Sequence, residues 1–204
     1  MEAYQARLDS FKKSKRVKQT SSKRTASVKW PHPDHFTATP DALAEAGFFY
    51  NPSWDERDNA ACFFCAKELS GWEEEDDPFA IHLDKCGDSC AWAVVRCGLS
   101  EDMDQQGHYV FKDPSRVPTS KTMEKARLST FKTNGWWPHD QVKGHGAHSA
   151  KMAKAGFVYT PQASGDDTAT CFYCQVSLSG WDEDDDPLSV HSMLPVPDPS
   201  DTIC

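Results

Sequence analysis

Apolar residues in this 204-residue chain fall into short groups that are separated by turn-forming and charged residues. The first clear group, Ala42–Ala46, predicts a helix that begins at Thr39 and ends at Gly47. The Thr39 hydroxyl can cap free amide groups, Pro40 suits the first helical position, and glycine is common just past a helix end. The same signals at residues 149–156 predict an equivalent helix in the second half of the chain.

Aromatic-rich runs follow the first helix and predict a small antiparallel sheet. Residues 48–50 and 60–64 are separated by Asn, Pro and Asp, which favour turns, and a third run covers residues 69–72. An acidic residue before a proline then opens another helix at Asp77–Pro78, and the same pair recurs at Asp186–Pro187. One more helix is predicted from Ser89 to about Cys97.

The second half of the chain repeats the first half at a constant offset, so that each matched position is displaced by the same interval. Flanking residues repeat together with the cysteines, so the pattern describes a whole domain. Two copies are too few for a solenoid and indicate tandem domains. The matched segments are Ala46–Phe48 with Ala155–Phe157, Cys62–Cys65 with Cys171–Cys174, Leu69–Trp72 with Leu178–Trp181, and Asp77–Pro78 with Asp186–Pro187.

The repeat predicts an α+β protein made of two small domains, each with a three-stranded antiparallel sheet and short helices. Residues 123–131 match residues 3–11, whereas the basic segment 12–29 has no counterpart and is an insertion in the first domain. Domains of this size have thin cores, so metal binding would supply stability that 38% hydrophobic content does not. The predicted boundaries are 1–98 for the first domain, 99–122 for a polar linker and 123–204 for the second domain.

Cysteine and histidine spacing predicts one zinc site in each domain. Thiolate and imidazole are ligands of tetrahedral structural zinc, and a Cys-x-x-Cys pair with a distant histidine is a sequence signature of such sites. A thioredoxin-like redox pair would instead need a parallel βαβ context and no paired histidine. The predicted ligands are Cys62, Cys65 and His82 in the first domain and Cys171, Cys174 and His191 in the second.

The spacing leaves the fourth ligand of the first site open between two cysteines. Cys86 lies four residues after His82, on the same helix face, and Cys90 lies eight residues after it, at the start of the next predicted helix. Both positions are geometrically possible.

Neither a secretory signal nor a membrane span is predicted. The segment from Met1 to Lys18 is polar and basic and lacks the apolar core of a signal peptide. No apolar run approaches the length of about 18 residues that a membrane-spanning helix needs. We therefore expect a soluble intracellular protein without membrane contact, whose thiols stay reduced for metal binding.

Charge is distributed unevenly along the chain. The segment Lys12–Lys29 carries +8 with no acidic residue, and the net charge is −9, so the rest of the chain carries −17. Acidic runs at 73–77 and 182–186 follow the repeated tryptophan and should attract cationic partners.

The basic segment Lys12–Lys29 resembles nuclear import signals, and Arg24–Ser27 resembles a basophilic kinase site. A disordered solvated loop and a contact with chromatin phosphates are the alternatives for this segment.

No motif predicts catalysis. A zinc site filled by four protein ligands leaves no position for water, and neither His-Glu-x-x-His nor a phosphate-binding Gly-x-x-x-x-Gly-Lys sequence occurs. Trp72 beside the acidic run instead favours a peptide groove, in which acids pair with a free α-amino group and the indole packs on a small side chain. A solvated acidic turn is the alternative to this groove.

The remaining histidines are interpreted as surface residues rather than catalytic ones. They are His32, His35, His108, His139, His145 and His148.

Many of these motifs together resemble the baculoviral inhibitor-of-apoptosis repeat (BIR) family, and the whole chain is similar to its two-repeat, survivin-like branch in fungi. The resemblance covers nearly the entire sequence. It implies a three-stranded antiparallel sheet and short helices around one Cys₃His zinc ion per complete repeat. The motifs are Arg7–Phe11, Trp30–Pro31, Leu43–Phe48, Tyr50, Cys62–Cys65, Gly71–Trp72, Asp76–Pro78, His82 and Cys90–Trp92.

The resemblance also bears on the fourth ligands. It favours Cys90 over Cys86, because the family's next helix follows Cys90, although the interval from His82 is one residue longer than in the family. In the second repeat Asp198 stands at the family's spacing but lies between prolines, and Cys204 is the only later cysteine. We therefore expect a C-terminally incomplete second repeat that binds metal weakly.

In survivin-like proteins the groove beside the tryptophan is similar to a reader of histone tails that begin with Ala-Arg and carry a phosphothreonine. The resemblance implies that Trp72 and Asp76 hold the N-terminal alanine and that Lys67 meets the phosphate. Lys85 replaces a histidine of animal survivin and would add attraction for phosphate.

Two further positions depart from animal survivin, and the second repeat departs more. Ser70 and Ile81 stand where animal survivin has acids, which should weaken contacts to the arginine of the tail. In the second repeat Trp181 and Asp185 persist at the peptide-binding positions, but Val176 replaces the lysine. Phosphate reading is therefore not expected there.

The family implies a role in the chromosomal passenger complex, in chromosome segregation and in cytokinesis. The expected partners are protein N-termini, including a histone tail, and subunits of that complex, with no small-molecule substrate. The expected location is nuclear, at centromeres and the spindle, with a cytoplasmic pool. The alternative is an inhibitor of apoptosis that binds caspases or pro-apoptotic N-terminal peptides. No RING-type cluster follows, so ubiquitin ligation is not predicted.

Overall fold

The computed structural model describes residues 1–133 and 137–193 and forms two compact units, Met1–Ala93 and Val94–Cys204. Each unit contains a three-stranded antiparallel sheet and several short helices, which confirms the predicted α+β class. The boundary between the units lies before the predicted linker rather than within it. In the described ranges, no helix is long and apolar enough to cross a membrane.

In the first unit, local signals in the sequence start the helices as predicted. The Thr39 hydroxyl accepts a hydrogen bond from Ala42 N at 3.2 Å, and the Asp77 carboxylate accepts one from Phe79 N at 2.9 Å. The elements are α1 (Tyr4–Lys12), β1 (Lys15–Lys18), β2 (Thr25–Val28), α2 (Pro40–Glu45), β3 (Phe48–Tyr50), β4 (Ala60–Cys62), β5 (Glu68–Leu69), α3 (Pro78–Cys86) and α4 (Ala91–Val95).

In its described residues, the second unit follows the same order without counterparts of the β1–β2 hairpin and of α4. Short 3₁₀ turns at Cys97–Asp102 and Pro114–Arg116 precede its first helix, and another at Pro138–Gln141 follows it. The remaining elements are α5 (Lys121–Lys132), α6 (Ser149–Lys154), β6 (Val158–Tyr159), β7 (Ala169–Thr170), β8 (Ser177–Leu178) and α7 (Pro187–Ser192).

Each sheet places its first cysteine at a fixed register. Phe48 pairs with Cys62 across β3 and β4, and Val158 pairs with Thr170 across β6 and β7, directly before Cys171. Gly47, with a φ of +104°, reverses the chain between α2 and β3, a conformation that residues with a Cβ rarely adopt. The sheet therefore begins at a defined residue and delivers the cysteine pair to the turn that follows its second strand.

Two buried polar contacts hold the first helix of each unit, one to the second helix and one to the sheet. The Arg7 guanidinium is 2% exposed and donates to the carbonyl of Ala44, and burial lowers its pKa to about 10. The Ser10 hydroxyl accepts a hydrogen bond from Tyr50 N at 2.8 Å. The equivalent contacts of the second unit are Arg127 with the Ala153 carbonyl at 2.8 Å and Thr130 with Tyr159 N at 3.1 Å.

An aromatic triad fills the core beside these contacts. In the first unit the rings of Phe11, Trp30 and Tyr50 lie 5.0 to 5.9 Å apart between centroids. Such edge-to-face and stacked pairs are favourable beyond the area they bury. The second unit has the same triad in Phe131, Trp137 and Tyr159, at 4.9 to 5.9 Å.

The basic insertion differs from the disordered loop that was one expectation for it. Residues 15–18 and 25–28 pair as an antiparallel hairpin, with Lys15 opposite Val28 and Val17 opposite Ala26. Val17 is only 5% exposed, so the hairpin has an apolar inner face that can hold it against the unit. Alternation of apolar and polar residues gives the segment this sheet character despite its charge.

The segment predicted to be a polar linker carries structure of its own and belongs to the second unit. Asp102 and Arg116 form an ion pair at 2.8 Å, with side chains only 3% and 16% exposed. The rings of Tyr109 and Phe111 pack on Tyr173, with centroid distances of 5.2 and 6.2 Å. Aromatic residues within a mostly polar sequence therefore dock this segment onto the second repeat.

Candidate metal centres and peptide-binding loops

Four donor groups meet in the first unit. Cys62 ends β4, Cys65 lies in the following turn, His82 lies on α3, and Cys90 precedes α4. Their ligand atoms all lie within 4.8 Å of one another, and Cys62, His82 and Cys90 are at most 1% exposed. A tetrahedral site with zinc–sulfur bonds of about 2.3 Å places its ligand atoms about 3.8 Å apart. Three thiols and one imidazole in this arrangement therefore fit a structural zinc ion.

Local hydrogen bonds orient these donors. His82 directs Nδ1 to the Ala46 carbonyl at 2.8 Å, which leaves Nε2 for the centre, 3.6 Å from Cys65 Sγ. Hydrogen bonds from the Cys62 and Cys90 thiols lower the pKa of Cys65 far below its usual value, while contacts with Cys62 and Cys65 raise the pKa of Cys90. Binding a metal at these cysteines would release the protons of their thiols.

The geometry distinguishes the two candidate fourth ligands. Cys90 belongs to the four-donor group, whereas Cys86 does not. Cys86 lies beside Cys65 at the end of α3, is 5% exposed, and has a pKa that burial raises. The Cys86 carbonyl accepts a hydrogen bond from Cys90 N at 2.7 Å, so Cys86 shapes the turn that brings Cys90 to the centre.

Three donors meet at the equivalent place in the second unit. Ligand atoms of Cys171, Cys174 and His191 lie within 4.8 Å of one another. His191 directs Nδ1 to the Ala155 carbonyl at 2.6 Å, and its Nε2 lies 3.1 Å from Cys174 Sγ. Hydrogen bonds with Cys171 and Cys174 raise the pKa of His191 to about 10. The described part of the chain adds no fourth donor to this group, and Asp198 and Cys204 lie outside the described residues.

A carboxylate holds the loop that carries the repeated tryptophan in each unit. The Asp58 carboxylate accepts hydrogen bonds from Gly71 N and Trp72 N, both at 2.9 Å, and lies 3.0 Å from His32 Nε2. Burial raises the pKa of Asp58, but these hydrogen bonds outweigh burial and leave the pKa lowered from its usual 3.8. The second unit repeats this with Asp167, which accepts from Gly180 N at 2.8 Å and Trp181 N at 2.9 Å and lies 2.9 Å from His139 Nε2.

Both tryptophans of these loops are almost buried. Trp72 is 5% exposed and packs edge-on against Phe48 at 5.8 Å, and Trp181 is 6% exposed and packs against Phe157 at 5.3 Å. Their indole nitrogens are buried and have no hydrogen-bond partner in the described structure. Most of each indole therefore packs in the core, and a peptide can reach only the exposed edge of the indole.

The other predicted peptide-binding residues lie on exposed turns and on α3. Asp76 accepts a hydrogen bond from Glu73 N at 2.9 Å within the acidic turn, and Asp185 accepts one from Asp182 N at 2.8 Å. Lys67 is exposed in the turn before β5. Lys85 is exposed on α3, and its ammonium lies 2.8 Å from the Asp84 carboxylate, which offsets part of its charge.

Several of these residues were misassigned or missed in the sequence. The expectation that all six scattered histidines are surface residues is wrong for His145, which is 5% exposed and stacks on His139 at 4.0 Å. His32 and His139 both follow a Trp-Pro pair, so the sequence contained a signal for them. Asp58 and Asp167 occupy equivalent positions of the repeat but lie in dissimilar local sequence, which hid the match.

The comparisons with known proteins agree with this geometry. The family model for the Inhibitor of Apoptosis domain (BIR) matches residues 7–94 and 127–195. The chain is 32% identical over 193 residues to "Chromosomal passenger complex protein bir1" of Schizosaccharomyces pombe, a match that covers 92% of this chain and 16% of that protein.

Two animal relatives give a similar result. "Baculoviral IAP repeat-containing protein 5" of Mus musculus is 43% identical over 79 residues, which are 38% of this chain and 56% of that protein. "Death-associated inhibitor of apoptosis 2" of Drosophila melanogaster is 30% identical over 166 residues, which are 80% of this chain and 30% of that protein. The matched region thus spans between about a sixth and just over half of the length of these three relatives.

Proposed function

Because this chain belongs to the Inhibitor of Apoptosis domain (BIR) family, we propose that it is a non-enzymatic, zinc-stabilised protein that binds the free N-terminus of a partner. The process in which it acts is chromosome segregation and cell division, as a subunit of a chromosomal passenger complex. Support for this process comes from the similarity to the S. pombe protein, which extends over 92% of the chain.

A structural metal ion would stabilise the first repeat. Cys62, Cys65, His82 and Cys90 would hold a zinc ion whose contribution is structural, since four protein donors leave no position for water or substrate. These residues cross-link the sheet, α3 and the start of α4. The cross-link fixes the turn from which Lys67 projects and the helix that carries Lys85.

The first repeat would capture the peptide at its tryptophan loop. The observation that supports this most directly is that a carboxylate holds the loop in place. Asp58 fixes the backbone of Gly71–Trp72, and the turn that follows presents the run Glu73–Asp77. A free α-amino group would pair with Asp76 while a small first side chain meets the edge of Trp72. A rigid loop lowers the entropy cost of binding, because it is ordered before the peptide arrives.

The proposed ligand is a histone tail that begins with Ala-Arg and carries a phosphothreonine. Lys67 and Lys85 would lie near its phosphate. The charges of both lysines suit a phosphate, but Lys85 must exchange its contact with Asp84 for the ligand. The second repeat has Trp181 and Asp185 but Val176 in place of the lysine, so we propose no phosphate recognition there.

Inhibition of apoptosis is the second candidate function. It is favoured by the similarity to the D. melanogaster protein, which extends over 80% of this chain. Capture of an N-terminal Ala-Val-Pro peptide would use the same loop and Asp76 but neither lysine. The proposed location, at centromeres and the spindle with a cytoplasmic pool, applies only to the first function.

Calorimetry with synthetic peptides tests both functions. The full zinc-loaded chain should bind a phosphorylated Ala-Arg-Thr histone peptide at least about tenfold more tightly than the unphosphorylated form. An N-acetylated copy should not bind, because it lacks the α-amino group. K67A should remove the phosphate preference, and D76N should weaken the binding of both peptides. The matched D185N variant changes only the second repeat and should keep the phosphate preference of the wild type.

Two results would overturn the histone-tail proposal. One is equal affinity for the phosphorylated and plain peptides. The other is tighter binding of an unphosphorylated Ala-Val-Pro peptide, which would establish the apoptosis-related function instead.

A further inference from the structure

The basic insertion has two different faces. Antiparallel register places Arg16 opposite Ser27 and Lys18 opposite Thr25, and the alternate pairs contain Val17 and Ala26. Because paired residues of a hairpin share a face, one face is cationic and hydroxylated and the other is mainly apolar. Arg16, Lys18, Thr25 and Ser27 are all exposed, whereas Val17 is 5% exposed. We refer to the side with Arg16, Lys18, Thr25 and Ser27 as the outer face.

The turn that joins the two strands is ordered and adds two more cations. Gln19 N donates to the Arg24 carbonyl at 3.0 Å, and the Ser22 hydroxyl bonds the Gln19 side chain at 2.6 Å. Arg24 N donates to the Ser22 hydroxyl at 3.1 Å. Lys23 and Arg24 are exposed and are thus presented by a turn that holds its own shape.

The cations of the insertion are not neutralised by neighbouring acids. Of the eight Lys and Arg residues from 12 to 29, Lys12 alone has a carboxylate within 4.0 Å among the described residues, Asp9 at 3.9 Å. The Arg16 guanidinium donates to the Thr25 hydroxyl at 3.4 Å, which leaves its charge uncompensated. The charges of Arg16 and Lys18 lie together on the outer face of a folded hairpin, and they remain available to an anionic partner.

We propose that the outer face and turn of this hairpin, with Arg16, Lys18, Lys23 and Arg24, form a binding site for the phosphate backbone of duplex DNA. Lysine, arginine, serine and threonine side chains commonly contact the phosphate oxygens of DNA. A two-stranded ribbon is narrow enough to enter the major groove of B-DNA. The site lies outside the peptide loop, so it does not depend on peptide capture.

The composition of the hairpin favours DNA over an anionic membrane surface. Binding of a folded segment to an anionic bilayer combines electrostatic attraction with apolar side chains that enter the acyl region. The residues from Gln19 to Arg24 are all polar or charged, and the apolar Val17 faces inward. The net charge of −9 does not prevent the contact, because at physiological ionic strength charges beyond about 8 Å are largely screened.

Fluorescence anisotropy with a labelled duplex of about 20 base pairs tests the proposal on the full zinc-loaded chain. Four phosphate contacts predict a slope of about −3.6 for the logarithm of affinity against that of salt concentration. Affinity should therefore fall about 100-fold between about 50 and 200 mM salt. R16Q/K18Q should reduce the magnitude of the slope by about 2, and R16K/K18R should leave it nearly unchanged.

Matched controls separate the outer face from net charge. K112Q/K143Q removes two exposed cations of the second unit and should leave the slope unchanged, as should K15Q on the inner face. S27D adds a negative charge opposite Arg16 without removing a cation. It should lower the affinity for the duplex at least about threefold. Thermal unfolding and zinc content should be equal in all variants.

Three results would overturn the proposal. The first is no binding to the duplex at the lowest salt concentration. The second is an equal loss of affinity in R16Q/K18Q and K112Q/K143Q, which would mean that net charge alone matters. The third is a requirement for Arg16 and Lys18 in binding to phosphatidylserine vesicles but not in binding to the duplex. This result would assign the hairpin to a lipid surface.

Discussion

The first repeat brings four metal donors together and the second brings three from the described residues, although the two share nearly the same scaffold. Both tie the first helix to the second helix through a buried arginine and to the sheet through a hydroxyl, and both hold the tryptophan loop with a carboxylate. The difference begins after the ligand histidine. The scaffold is therefore specified by the helix and sheet contacts, and completion of the metal centre in the first repeat depends on the segment after α3.

In the first repeat that segment has two tasks. Cys90 supplies the fourth donor, and Trp92 packs on Phe63 at 5.1 Å between ring centroids. In the second repeat Phe172 is the residue equivalent to Phe63, and two of its partners come from the segment before the repeat. Arg96 lies over the Phe172 ring, and the Tyr109 hydroxyl donates to the Phe172 carbonyl. Packing on this ring can thus be supplied from either side of a repeat, because it needs only apolar or cationic area. A thiolate donor cannot be replaced in this way.

Removing a metal ligand should produce the largest difference between the repeats. Structural zinc contributes about 10–16 kcal/mol of apparent binding free energy in small zinc domains, so C62S should unfold the first repeat. C171S should cost less, because its centre has three donors from the described residues. Zinc content and far-UV circular dichroism measured during chelator titration check this, and the second repeat should release its metal first. Two zinc ions with equal resistance to chelator would contradict the comparison.

The two neighbouring cysteines of the first repeat allow a sharper test. C90S should lose tight zinc binding, because it removes a donor of the four-ligand group. C86S should keep the zinc and cost about 1 kcal/mol of unfolding free energy, because it changes a buried thiol that is not in that group. Bound zinc per chain after gel filtration measures the difference. Zinc loss in C86S with retention in C90S would reverse the assignment.

The loop carboxylates should give a smaller effect than the loss of a metal ligand. D58A and D167A each remove an acceptor of two backbone hydrogen bonds, at about 1.5–3 kcal/mol for each bond to a charged group. Both variants should therefore unfold at lower denaturant concentration by similar amounts. Only D58A should weaken binding of the N-terminal peptide, by about tenfold, and D58N should lie between D58A and the wild type. Equal peptide affinity in wild type and D58A would mean that the loop held by Asp58 does not contribute to peptide binding.

The pH dependence of this contact follows from the lowered carboxyl pKa. A carboxyl group whose pKa is lowered in the folded state contributes its full stability above its unfolded value, here 3.8, and loses it as the pH falls below that value. The ratio of peptide affinities in wild type and D58A should therefore stay constant between about pH 8 and pH 5. A ratio that falls toward one in this window would contradict the pKa of Asp58.

Local chemistry made much of the fold predictable from the sequence. Thr39 and Asp77 cap helices as expected, and Gly47 takes the left-handed conformation that ends α2. The zinc-ligand pattern was also readable, because Cys62–Cys65 lies on one turn and the histidine interval repeats. These features depend on residues that are close in sequence, so a single chain is enough to identify them.

Long-range contacts were less accessible. The buried Arg7 has no local signal, since its partner Ala44 lies 37 residues away. The hairpin of the basic insertion was obscured by its charge, and only Val17 and its cross-strand partners indicate an inner face. The polar composition of residues 99–118 likewise concealed Tyr109 and Phe111, whose docking depends on the distant Tyr173.

The docked segment before the second repeat has a practical consequence for dissecting the protein. A fragment intended to contain that repeat alone would start near residue 120 if the family match were the guide. Such a fragment would lose the ion pair of Asp102 with Arg116 and would leave Tyr173 without Tyr109 and Phe111. Expression from residue 94 onward keeps these side chains, and should give the more soluble and protease-resistant product.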